Sequence, residues 1–211
     1  RRRNNLKVTG NPIRSSLLRQ DRTSAYEALG LDPARRTLLV FGGSRAAASI
    51  NRAMLGALPG LARIRDLQGI WQTGIEDFEA AKPQADRAGL PVRAFAYLDQ
   101  MERAYAVADL ALCRAGAMTI TELTACGVPA ILVPYPHATA GHQHANAAWM
   151  ADAGAAVMID DAELDPGRLT VAVEALLADR ARLEGMAAAA RALARPDAAR
   201  RIADQVLGAA R

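Results

Sequence analysis

The stretch Cys113 to Ala147, CRAGAMTITELTACGVPAILVPYPHATAGHQHANA, decides how the chain folds. A small-residue turn (Arg114, Ala115, Gly116) runs into a helical segment that carries Glu122 in its early turns. An apolar run from Ala130 to Val133 follows, closed by Pro134, and then a polar loop ending in His142, Gln143 and Asn146. That order sets a helix N-terminus, a carboxylate and a carboxamide around the carboxyl ends of two successive strands. Open α/β sheets hold their ligands at such an edge.

Outward from this stretch the same alternation recurs. Upstream, the run Thr37 to Phe41 is short, β-prone and apolar as a strand buried on both faces should be, and Gly42-Gly43-Ser44 leads it into an Ala-rich helix over Ala46 to Leu58. Further strands are predicted at Gly69–Gln72, Val92–Phe95, Leu110–Cys113, Ala130–Val133 and Ala156–Ile159. Helices are predicted over 15–30, Ile75–Ala88, Gln100–Ala106, Met118–Ala125 and His144–Ala153, and the text from Asp165 to Leu207 is helical, broken at Asp179 and Pro196. The fold class is therefore α/β, a doubly wound parallel sheet of Rossmann type in one domain over residues 15–211, with C-terminal helices over 165–207. Residues 1–14 are basic, turn at Gly10-Asn11-Pro12, and read as a linker entering that domain from a missing N-terminal one.

The net charge of +4 comes from 26 Lys and Arg against 22 acids, spread along the chain apart from Arg1 to Arg3, which fits a solvated surface first and, as alternatives, an anionic ligand or an anionic membrane surface. The few aromatics do not interleave with the basic residues, so the stacking platform of a nucleic-acid binder is missing. Cys113 and Cys126 lack metal or redox spacing and point to a reducing, cytoplasmic compartment. No apolar run approaches the length of a bilayer span.

Four features carry candidate chemistry. Gly42-Gly43-Ser44 sits where a strand feeds a helix and reads as a phosphate cradle or as an ordinary tight turn, since neither G-x-G-x-x-G nor a P-loop is present. Glu122 suits the vicinal hydroxyls of a ribose, or it complements the positive end of its helix. His137, His142 and His144 share one loop without the i, i+4 pair or companion carboxylates of a zinc site, so no metal is expected. Asp160, Asp161, Glu163 and Asp165 read as a solvated acidic turn before a helix. No two aspartates stand one residue apart to hold a divalent ion on a nucleotide sugar, so a bound diphosphate would be neutralised by arginine, serine and backbone donors.

Taken together, TGNPIR (9 to 14), LLVFGGSRAAASIN (38 to 51), WQTG (71 to 74), YLDQMERAYAVADLALCRAGAMTITEL (97 to 123) and GVPAILVPYPHATAGHQHANA (127 to 147) resemble the C-terminal half of the MurG family, which moves N-acetylglucosamine from UDP onto the lipid-linked muramyl pentapeptide of peptidoglycan synthesis. The resemblance implies the donor-binding half of a GT-B glycosyltransferase, a hexosyltransferase without cofactor. On this resemblance, Arg14 and Ser44 would contact the diphosphate, and the backbone around Leu98 would read the uracil edge. Ala117, Met118 and Thr119 would line the donor pocket, with Glu122 on the ribose hydroxyls and Gln143 on the sugar. The family pattern has a glycine two positions after the serine where this chain has Ala46. No residue here is a convincing general base. The base, the acceptor-lipid contacts and the membrane patch belong to the family's N-terminal half, so this portion alone is expected to bind UDP-N-acetylglucosamine and transfer nothing. The full protein is expected on the inner face of the plasma membrane, without a transmembrane segment. A stand-alone donor-binding subunit of a split transferase, or another UDP-sugar GT-B enzyme such as a glycolipid glycosyltransferase or epimerase, are the competing readings.

Overall fold

A computed structural model describes residues 7–42 and 48–209. Its six strands are β1 (Arg36–Phe41), β2 (Leu67–Gln72), β3 (Val92–Phe95), β4 (Leu110–Cys113), β5 (Ala130–Leu132) and β6 (Ala156–Met158). They form one all-parallel sheet in the order β3-β2-β1-β4-β5-β6. The chain starts in the middle, works outward to β3 and returns to the other side of β1, so the connections diverge between β1 and β4. A crevice opens between their carboxyl ends.

The helices are α1 (Arg22–Leu29), α2 (Ala48–Leu61), α3 (Ile75–Arg87), α4 (Met101–Val107), α5 (Ala117–Cys126), α6 (His142–Asp152), α7 (Pro166–Ala178), α8 (Arg180–Leu193) and α9 (Ala198–Ala209). Side chains alternate across each strand, and the two faces bury separate cores. Leu39, Phe41, Cys113 and Leu132 face α1, α4, α5 and α6, whereas Leu38, Val40, Trp71, Leu112 and Ile131 face α2, α3 and α7. Polar groups inside are paired as burial demands. Gln68 donates to Thr37 Oγ1 at 3.0 Å, and Trp71 Nε1 donates to Asn51 Oδ1 at 3.1 Å.

The helix expected over 15–30 is two pieces, a single 3-10 turn at Ser15–Leu18 and then α1. Asp21 causes the break: its carboxylate accepts from the backbone N–H of Ser24 at 2.7 Å and from the Ser24 hydroxyl at 2.6 Å, making it the N-cap of α1. Residues 7–14 carry no helix or strand, and Arg195 ties them to the end of the fold by donating to the Val8 carbonyl at 3.2 Å.

Candidate functional site

A cleft of about 1130 Å³ lies over the carboxyl ends of β1 and β4. Its floor and walls come from Gly42 after β1, Ser49 and Arg52 on α2, Arg114 after β4, the first turns of α5, Tyr135 to His137, Gln143 and Asp161. Each element meets the cleft for a local reason. Gly116 is the extended N-cap residue of α5 and no side chain caps it, so the amides of Ala117, Met118 and Thr119 lack intrahelical partners and sit at the positive end of the helix. Gly127, at φ 67°, closes the other end. Ala140 and Gly141 both hold left-handed backbone, at φ 52° and 65°, and these two turns bring the start of α6 back to the segment that follows β5. Gln143 then accepts from the Tyr135 backbone N–H through Oε1 at 3.0 Å, which leaves its Nε2 as a donor toward the cleft.

Glu122 is half-buried one turn into α5. The hydroxyl of Tyr105, on α4, donates to its Oε2 at 3.0 Å. Burial pushes the Glu122 carboxyl above its ordinary range; the Tyr105 hydrogen bond and the charge of Arg14 oppose that rise, and Glu102 adds to it. Tyr105 is itself raised well above a free phenol, chiefly by burial and then by the Glu122 charge, so the proton stays on the phenol and the carboxylate accepts.

The structure brings Ala117, Met118, Thr119, Glu122 and Gln143 together along this one cleft. Arg14 stands apart: its Nη2 lies 3.7 Å from Glu102 Oε2, within electrostatic reach of Glu122 but off the cleft wall. Leu98 is buried, and its N–H donates to Gln72 Oε1 at 3.0 Å; the neighbouring Tyr97 is the residue that reaches the cleft. Ser44 and Ala46, with the rest of the glycine turn from Gly43, lie outside the described residues. Of the histidines only His137 lines the cleft, its ring edge-on to Tyr135 at 5.6 Å, while His142 Nδ1 lies 2.6 Å from the Thr139 carbonyl. Among the described residues no three His, Cys, Asp or Glu side chains stand together as a metal set.

Sequence reasoning missed the charged floor. Arg114, read above as part of a small-residue turn, is 8% exposed and donates to the carbonyls of Val133 and Pro134, to Ser49 Oγ at 2.9 Å and to Asp161 Oδ1. Ser49 donates to the same carboxylate oxygen at 2.6 Å, and the guanidinium lies 5.4 Å from the Tyr135 ring centre. Asp161 is thus a half-buried partner, which corrects the reading of that acidic run as solvated at this one position; Asp160, Glu163 and Asp165 are exposed. Its neighbours divide the remaining roles: Asp165 caps α7, and Glu163 pairs with Arg168 at 3.0 Å. The one available signal was an arginine set immediately after a buried strand, where desolvation demands a carboxylate partner.

This arrangement offers a carboxylate for a diol, bare helix amides and arginines for an anion, and an amide for hydroxyls. The family model described as glycosyltransferase family 28 C-terminal domain matches residues 37–202. The chain belongs to glycosyltransferase family 28, as its C-terminal domain. Within that family it is similar to the UDP-N-acetylglucosamine–N-acetylmuramyl-(pentapeptide) pyrophosphoryl-undecaprenol N-acetylglucosamine transferases of Chlorobium luteolum, 47% identical over 95% of this chain, and Salinibacter ruber, 46% identical over 96%. The chain spans about half the length of these curated relatives, 54% of each. Among solved family structures, Acinetobacter baumannii MurG superposes with a TM-score of 0.73 at 33% identity, over 82% of this chain and 52% of that one. The GT-B nucleotide-binding fold expected of a family 28 C-terminal domain is the fold observed.

Proposed function

We propose that this chain is the donor-binding part of an inverting, metal-independent N-acetylglucosaminyltransferase that holds UDP-N-acetylglucosamine for transfer onto the undecaprenyl-linked muramyl pentapeptide of peptidoglycan. One observation carries the reading: Glu122, Gln143 and the uncapped start of α5 line a single cleft, in a chain 47% identical to a transferase named for that reaction.

In this reading the uracil lies against the backbone near Tyr97 and Leu98. The ribose hydroxyls donate to Glu122, the diphosphate meets the amides of Ala117 to Thr119 together with Ser44, Arg14 adds its charge from beside Glu102, and Gln143 donates through Nε2 to a sugar hydroxyl. When the acceptor 4-hydroxyl attacks the anomeric carbon, the bond to the diphosphate breaks and its electron pair leaves with UDP. Donors fixed around the diphosphate take up that growing charge without reorganising, which lowers the barrier. The base that takes the proton of the attacking hydroxyl, the lipid-acceptor site and the contact with the inner face of the membrane are assigned to a further half of the protein, corresponding to the part of the relatives outside the match.

UDP-N-acetylglucosamine should raise the melting temperature of this chain with chelator present, and Glu122→Ala should remove most of the shift. Stabilisation that requires magnesium or manganese would overturn the metal-independent pocket, and an equal shift from UDP-glucose would overturn the sugar assignment.

A further inference from the structure

Glu122 is held from beneath by a side chain that a ligand in the cleft does not reach. Tyr105 is 2% exposed, and its ring meets Phe41, the last residue of β1, edge-on with centroids 5.9 Å apart and planes at 86°. With the ring fixed by the central strand, the hydroxyl oxygen is held in place, and it donates to Glu122 Oε2 at 3.0 Å. A carboxylate that accepts from two vicinal hydroxyls must turn its plane so that both oxygens face them. The phenol occupies one lone pair of Oε2 and fixes that plane, leaving Oε1 and the outer side of Oε2 for the diol.

The other charged neighbours of Glu122 do not do this. Glu102, also on α4, repels it, and Arg14 pulls it from the chain segment before α1 with a side chain that is 60% exposed. Cys113 and Cys126 face the phenol, and burial lifts both thiols, Cys126 to about 12, so neither supplies a charge near neutrality. Without the phenol, Glu122 is free to turn toward Arg14 and away from the diol.

We propose that Tyr105 is a positioning residue for the nucleotide, setting the preference for a ribose over a deoxyribose by orienting Glu122. The inference rests on the reading that Glu122 accepts the ribose hydroxyls. It deepens that reading by adding a second, buried determinant of the same selectivity.

The test is calorimetric titration of UDP and 2′-deoxy-UDP into the chain and into Tyr105→Phe, which keeps the ring and its packing on Phe41. The unsubstituted chain should favour UDP, and the substitution should cut that preference by about tenfold, the worth of a hydrogen bond to a charged group. If the unsubstituted chain binds the two nucleotides equally, the Glu122 reading falls and this inference falls with it. A clear preference for UDP that survives in Tyr105→Phe overturns the role of Tyr105 alone. A measurement that needs no substitution is the nuclear resonance of the Tyr105 ring, which should move as Glu122 titrates and move again on addition of UDP. Ring signals indifferent to both overturn the proposal, whatever the folding of the variant.

Discussion

Glu122 is placed where its charge costs the unliganded protein something. Its carboxyl is raised by burial, so the folded chain binds the proton more tightly than the unfolded chain does. The resulting penalty is absent below the unfolded pKa and fully present above the folded one, so unliganded stability rises as pH falls through that window. Nucleotide binding runs the other way, because a protonated carboxyl accepts from a diol less well, and affinity for UDP should fall over the same window. Glu122→Gln separates the two effects. It keeps an oxygen for the Tyr105 hydroxyl and removes the charge, so at pH 7 it should melt slightly higher than the unsubstituted chain, while losing most of its response to UDP. A lower melting temperature for the amide would contradict this account. Arg114 makes the complementary case, since its charge is fully met by Asp161, Ser49 and two carbonyls and so can be buried.

Among the elements, α2 and α7 approach each other closely through two glycines. Gly56 and Gly60 lie one turn apart on α2, and a Cβ on them would come within 2.5 Å of Pro166 Cγ and 2.8 Å of Thr170. Both helices cover the core face that holds Leu38, Val40 and Trp71, and α2 carries Ser49 and Arg52 into the cleft. Pro166 is part of a helix start fixed by the Asp165 cap, so it cannot easily retreat. Gly56→Ala should therefore destabilise the chain by about 1–3 kcal/mol through overpacking, despite the better helix propensity of alanine, as read by urea unfolding. A stabilised variant would mean that α7 yields freely. The positions of these helices were evident from their spacing, and their separation was not. Nothing in the local sequence says that Gly56 meets a proline 110 residues away.

At the scale of the molecule, two apolar cores share one sheet, and every strand of that sheet contributes side chains to one or both. Unfolding either face exposes the backs of strands that support the other, so the chain should unfold as one cooperative unit. Trp71, fully buried in the core under α2, and Trp149, exposed on α6 at the opposite face, give separate optical reports. Single-tryptophan variants should show coincident thermal transitions, and transitions separated by several degrees would divide the sheet into independent halves. The sequence by itself determined the six strands and the helices between them, because an apolar run of four to six residues or an apolar face at helical spacing is a local signal. It also placed α5, Glu122 and Gln143 at the carboxyl edge, since alternation of strand and helix fixes which end of each strand faces the turn. Only the tertiary structure decided that Arg114 pairs with Asp161 across 47 residues and that Tyr105 rises beneath Glu122. Those outcomes depend on which buried donor meets which buried acceptor once the strands have taken the order β3-β2-β1-β4-β5-β6. That pairing is a property of packed space, and no period along the chain encodes it.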